Sequence, residues 1–165
     1  MTLCKEITDT DKTARMNFAR LMQDNENSLE KIVWSDEAYF KLDGAVNRHN
    51  CVIWAYENPH VVLKKSLHSP KVCVWMAFSA KNKLQPFFFD MTIGQFNYCD
   101  LMPQLCAKRI KSTTIFQHDG ASPHFSLRAV EFFSKQFPAN RVIGRGFGHP
   151  WPPRSPDLSP LDYYF

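Results

Sequence analysis

Val72 to Ser79 reads VCVWMAFS, a near-continuous apolar run of strand length, and a strand of that kind is buried on both faces. Such a strand needs neighbouring strands and cover, and the chain offers both. Lys31 to Phe40, KIVWSDEAYF, reads as a strand interrupted by two adjacent acids. Gly44 to Tyr56 has two apolar runs around the turn-like NRHN and reads as a hairpin; Leu84 to Asp90 follows a turn at Lys81-Asn82-Lys83, with Phe87, Phe88 and Phe89 as core. Helical spacing runs from Thr10 to Met22, with Ala14, Phe18, Leu21 and Met22 on one face and Asp9 or Thr10 as cap. It recurs from Thr92 to Ile110, through Phe96, Cys99, Leu101, Met102, Leu105 and Cys106, with Thr92 as a possible cap. Ser126 to Phe137 repeats it with Leu127, Val130, Phe133 and Phe137, and Pro138 stops that helix. Between the last two helices a β-prone run, TTIFQHDGASPH from Thr113 to His124, drives into Asp119, and a short strand follows at Arg141 to Ile143. Antiparallel strands followed by alternating helices and strands predict an α+β or α/β domain with a mixed sheet.

A chain of 165 residues, 44% hydrophobic and 14% aromatic, has room for one domain with a substantial core. No run of 18 apolar residues is present and the first residues are polar, so neither a membrane span nor a secretory signal is expected, and the protein reads as soluble and intracellular. Five scattered cysteines (Cys4, Cys51, Cys73, Cys99, Cys106) without CxxC spacing argue against a disulfide framework and a zinc ribbon, and read as reduced core thiols. Charge is uneven: nine acids face six bases up to Asp43, and seven acids face fourteen bases from Gly44 onward. The bases fall in small groups (Lys64, Lys65 and Lys71; Lys81 and Lys83; Lys108, Arg109 and Lys111; Arg141, Arg145 and Arg154), as a phosphate-binding surface has, with ordinary solvated lysines as the plainer account. Gly144, Gly146 and Gly148 form a GxGxG that precedes prolines instead of a helix, which excludes a dinucleotide loop.

Three carboxylates stand out by position. Asp119 ends a strand, where the backbone is rigid and one side of the carboxylate is open; taken alone, a turn-starting Asp is the better account of it. Asp36 and Glu37 are adjacent in a strand and point to opposite faces, so one of them faces inward or lies at the edge, which is costly unless it meets a cation or a hydrogen-bond network. Five of the eleven prolines fall between Pro150 and Pro160, PWPPRSPDLSP, a stiff connector, and Ser159-Pro160-Leu161-Asp162 has the form of a helix start. Two acids at strand ends and one at a helix start can converge, and they repel unless a divalent cation lies between them. Hard oxygen ligands suit magnesium or manganese, and two such ions roughly 3.5 to 4 Å apart serve phosphodiester chemistry. His118, next to Asp119, faces the other side of the sheet; His124 either touches DNA, orients a carboxylate or is simple loop structure. Ser122, His124 and Asp119 lie too close along one loop to form a hydrolase triad.

WSDEAYF, HSPKVCVWMAFS, QHDGASPHFS and WPPRSPDLSPLDYYF, in that order from Trp34 to Phe165, resemble the catalytic domain of mariner-like DNA transposases, in the DDE/DDD group of the retroviral-integrase superfamily. The resemblance implies an RNase H-like fold, with a helical lead-in at 1–30 and the catalytic domain at 31–165. It implies that Asp36 on the first strand, Asp119 on a fourth strand beside it and Asp162 on the helix after the connector hold two Mg2+ or Mn2+ ions. These would hydrolyse the phosphodiester at transposon ends and transfer the freed 3′-hydroxyl into target DNA. Glu37 and Asp157 match family positions other than the catalytic ones, and are assigned to support of the strand and the connector. DNA is the implied partner, with His124, Arg145, Arg154 and Lys71 as its contacts, a second copy of the chain as a further candidate partner, a nuclear location, and neither a membrane nor a small-molecule cofactor. Members of the family carry paired helix-turn-helix modules ahead of this domain and continue the last helix past the third acid. Here about thirty residues precede Trp34 and the chain stops at Phe165, so end recognition is not expected of it and Asp162 is expected to fray. The competing reading is a transposase remnant that acts without catalysis, as a DNA-binding or protein-interaction module.

Overall fold

The run VCVWMAFS lies within a five-stranded mixed sheet in a computed structural model that describes residues 6–42, 56, 70–89, 93–109 and 113–163, apart from the side chains at 95, 104–109 and 163. The strands are β1 (Ile32–Lys41), β2 (Lys71–Phe78), β3 (Phe87–Phe89), β4 (Ile115–Gln117) and β5 (Val142–Ile143), in the spatial order β3-β2-β1-β4-β5. The first three pair antiparallel; β4 and β5 join on the other side of β1 as parallel strands. That is the mixed sheet expected of an RNase H-like fold. The hairpin read over 44–56, the Thr92 cap, Cys4, Cys51, and the side chains of Leu105, Cys106, Lys64, Lys65, Lys108, Arg109 and Lys111 lie outside what is described. Among the described residues no helix is long and apolar enough to cross a membrane.

Alternation along β1 feeds two cores, because successive side chains leave a strand on opposite faces. Val33 joins Cys73, Trp75, Ala77 and Phe116 under two helices, α2 (Gln95–Arg109) and α3 (Leu127–Gln136), whose Tyr98, Met102 and Phe133 are fully buried. Ile32 joins Ile143 and Trp151 under α1 (Asp9–Asp24), whose Phe18 meets the Trp151 ring edge-on at 5.2 Å. Phe133 is the centre of the larger core, stacked on Phe116 at 5.1 Å and edge-on to His118 at 4.9 Å. Phe133→Ala is expected to cost about 3–5 kcal/mol, read as a lowered urea midpoint. A loss under about 1 kcal/mol would mean the neighbouring rings collapse into the space.

Four local readings change. The cap of α1 is Thr8, one residue ahead of Asp9, because Asp11 returns its carboxylate to the Thr8 N–H (2.9 Å) and completes a capping box. In α3 the buried positions are Ala129 and Phe133, and Leu127 is exposed, since Ser126 caps the helix and turns the first residue outward. Phe88 is exposed on the edge strand β3, while Phe87 and Phe89 are half-buried against the core. In α2, Phe96 is exposed and Tyr98 takes the buried place. Two glycines of the GxGxG serve packing, since a Cβ on Gly144 would lie 2.3 Å from the His118 ring and one on Gly148 2.6 Å from the Ala139 carbonyl oxygen, and Gly146 serves the backbone, with φ +85°.

Candidate metal centre

Asp36 and Asp119 are brought together by strand register. β1 and β4 run parallel with Trp34 opposite Gln117, and each acid lies two residues further along its own chain. The pairing is locked just before the acids: Ser35 Oγ donates to the Gln117 carbonyl at 2.7 Å, and the Ser35 N–H donates to Gln117 Oε1 at 3.2 Å, both buried. Asp162 enters from the far end of the chain. The connector ends in a 3-10 turn, Pro160–Tyr163, pinned by fully buried Leu161, and the turn packs on β1. Ser159 Oγ, one residue ahead of that turn, lies 3.5 Å from Asp36 Oδ2.

The three acids lie near enough to act on one another electrostatically. Burial pushes Asp36 up to about 7, opposed by the Glu37 N–H bond to its Oδ1 and reinforced by the like charges of Glu37, Asp162 and Asp119. Burial also raises Asp162, and Asp119 adds to that rise. Asp119 behaves in the opposite way: burial raises it, but hydrogen bonding and charge from His124 outweigh burial and leave it lowered. Of the three acids, Asp119 therefore holds its charge most readily.

The reason is His124, which bridges two carboxylates. Its Nδ1 lies 2.6 Å from Asp119 Oδ1 and its Nε2 lies 3.1 Å from Glu37 Oε1. The ring is 2% exposed, lies 4.4 Å from Tyr98 and stacks on His118 at 5.2 Å. Burial pulls its pKa down, yet the charge of Glu37 and the bonds to both acids hold it at about 10, so the imidazolium donates from both nitrogens at neutral pH. Glu37, Asp119 and His124 also fall within metal-ligating distance of one another. The two ring nitrogens point away from each other, however, and one ion can take only one of them, so the group is a hydrogen-bonded chain and not a mononuclear site. Both described hydrogen bonds to Asp119, from His124 and from the Ala121 N–H at 2.9 Å, fall on Oδ1 rather than Oδ2.

One of Asp36 and Glu37 is expected to meet a cation or a hydrogen-bond network, with Glu37 read as support of the strand. The structure puts Glu37 on the α2–α3 face, opposite Trp75, where it meets His124. His124, read as a DNA contact or a carboxylate-orienting group, is buried and orients carboxylates. With both nitrogens engaged it also leaves none for Ser122. His118 is a packing residue: it is fully buried, bonds the Tyr98 hydroxyl at 2.8 Å and is kept neutral by burial. Of the other proposed DNA contacts, Lys71 lies 4.2 Å above the Tyr39 ring and Arg145 4.1 Å above the Phe125 ring, both exposed, whereas Arg154 is ion-paired with Asp11.

No family model matches the chain. It is 28% identical over 155 residues to the Tc3 transposase of a transposable element of Caenorhabditis elegans, an alignment covering 92% of this chain and 44% of that protein. The chain thus spans less than half the length of this curated relative. Among solved structures it superposes on the Mos1 transposase paired-end complex with its left transposon end, with a TM-score of 0.73, 18% identity and coverage of 99% of this chain and 48% of the other. It also superposes on the Mos1 catalytic domain solved with raltegravir and magnesium, with a TM-score of 0.67, 18% identity and coverage of 96% and 70%. The sequence relationship and the shared fold agree with the resemblance carried by the four motifs.

Proposed function

We propose that this chain, a mariner-like transposase catalytic domain by sequence relationship and fold, is the metal-dependent DNA-cleaving and strand-transferring core of a transposase. The observation that carries the reading is the register-imposed meeting of Asp36 and Asp119 with Asp162 delivered beside them, three acids of which Asp36 and Asp162 are raised by burial with the like charges of their neighbours adding to it. Oxygen ligands of this kind fit Mg2+ or Mn2+, and the Mos1 catalytic domain was solved with magnesium. Bound there, the ions would activate water or a 3′-hydroxyl and stabilise the leaving oxygen.

The chain's own residues supply the rest. Asp119 is held ionised and fixed by His124, Asp36 would give up its proton to serve as a metal ligand, and Ser159 ties the connector to Asp36. DNA is the proposed substrate and partner, with exposed Arg145 and Lys71 as backbone contacts and the nucleus as the place of action. Residues 31–165 form the proposed catalytic unit with 1–30 as its lead-in, although α1 packs into the second core. The direct test is nicking of supercoiled plasmid in Mg2+ or Mn2+: the wild-type chain is expected to nick only with the ion present. A chain that binds DNA but never cuts it would favour the non-catalytic remnant instead.

The charge state of Asp36 sets a pH dependence. Metal binding must expel the Asp36 proton, so apparent Mn2+ affinity is expected to fall about tenfold per pH unit below 7 and to level off above it, measured by calorimetry at pH 5.5, 6.5 and 8. Without metal the sign reverses for stability. The folded state holds this proton more tightly than the unfolded chain, so Asp36's contribution is lost as pH rises from about 4 through 7. Affinity that is flat across this range would remove Asp36 from the ligand set.

A further inference from the structure

The connector that carries the third acid does not lie on the sheet unaided. Arg15, on the connector-facing side of α1, makes a fork onto it: Nη1 donates to Ser155 Oγ and to Asp157 Oδ1, both at 2.8 Å, and Nη2 donates to Asp157 Oδ2 at 2.5 Å. One helical turn earlier, Asp11 pairs with Arg154, whose backbone stands in the left-handed region at φ +53°. These are the described ion pairs that join the beginning of the chain to its end. Ser155 is buried and its carbonyl accepts the Leu158 N–H, closing the 3-10 turn Pro156–Leu158; Ser159 and Asp162 follow directly. A path of bonded groups therefore runs from α1 through Asp157 and Ser155 to Ser159, which touches Asp36.

We propose that Arg15 and Asp11 are positioning residues, and that α1 is a latch which holds the connector in the place where Asp162 completes the acid cluster. This rests on the reading of Asp162 as the third metal ligand. Three features separate a latch from ordinary packing. A bidentate guanidinium–carboxylate fork fixes direction as well as distance. Arg15 and Asp157 are partly exposed, so the pair adds little to global stability while still setting geometry. Asp11 uses the same carboxylate both to cap α1 and to hold Arg154, so anything that unwinds the first turn of α1 also frees the connector. The consequence is that a partner or a strain that lifts α1 would loosen the third ligand without touching the site.

The test compares Arg15→Met, which keeps the bulk and removes the fork, with Arg15→Lys, which keeps the charge, in the full chain. In Arg15→Met, amide exchange over Ser155–Asp162 is expected to rise about tenfold with β1 and β4 unchanged. The Mn2+ midpoint for nicking is expected to rise about tenfold while saturating activity is retained, and Arg15→Lys is expected to fall between the two. Unchanged exchange in the connector, equal acceleration in connector and sheet, or a loosened connector with an unmoved Mn2+ midpoint would each overturn the latch. Asp162→Asn separates the two ideas: if it leaves the midpoint where it was, the ligand reading fails, and the exchange data still decide whether α1 holds the connector.

Discussion

Asp119→Asn is expected to abolish ion-dependent nicking, a loss well beyond the ~10–100-fold typical of residues that only support a ligand. Asparagine keeps the size and one carbonyl oxygen, so the fold should survive. What disappears is the charge that Asp119 retains better than its neighbours, because His124 lowers its pKa against the effect of burial. A neutral amide would also present either its oxygen or its N–H2 to the protonated imidazole, and only the oxygen can accept there, which turns the amide nitrogen toward the metal. The measurement is initial nicking rate against Mn2+ concentration. Residual activity within about tenfold of the parent would remove Asp119 from the centre and with it the proposed function.

His124→Ala is expected to destabilise the fold by about 1–3 kcal/mol, because it strips nearly buried Glu37 of its partner, while Asp119, whose side chain is 44% exposed, is left to solvent screening. The pH dependence gives the prediction its sign. His124 is protonated at about 10 in the folded chain against about 6.5 when unfolded, so its contribution is complete below about 6.5 and is lost as pH rises through 10. Chemical denaturation of the parent at pH 6, 8 and 9.5 should therefore show falling stability, and the variant should lack that slope. A variant within about 1 kcal/mol of the parent that keeps the alkaline slope would show that the bridge holds nothing.

The strands were legible where a local period dominates. VCVWMAFS and KIVWSDEAYF become β2 and β1 with ends displaced by a residue, since burial on one or both faces leaves a pattern in the chain itself. The mixed sheet followed from the order of elements. Less legible were positions where a single contact outweighs the period. Leu127 keeps helical spacing but stands beside the cap, and Phe88 keeps the apolar run but occupies an edge with nothing described across it. At the site, the adjacent acids in β1 announced that one of them needed a cation or a hydrogen-bond network. Which cation was hidden, because Glu37 and His124 are 87 residues apart and meet only through tertiary packing. The fork from Arg15 to Asp157 was hidden for the same reason, at a separation of 142 residues.

The Ser35–Gln117 clamp has a kinetic consequence. It seals a parallel pairing across 82 residues, whereas the β2–β3 pairing, Trp75 with Phe87 and Cys73 with Phe89, closes across a far shorter stretch of chain. Loop-closure entropy must be met before such distant contacts return any energy, so the antiparallel strands can form early and the β1–β4 seam late. The acids converge only once that seam has zipped. A partly folded chain accordingly has no assembled cation site, and added manganese should leave the folding rate nearly unchanged while slowing unfolding.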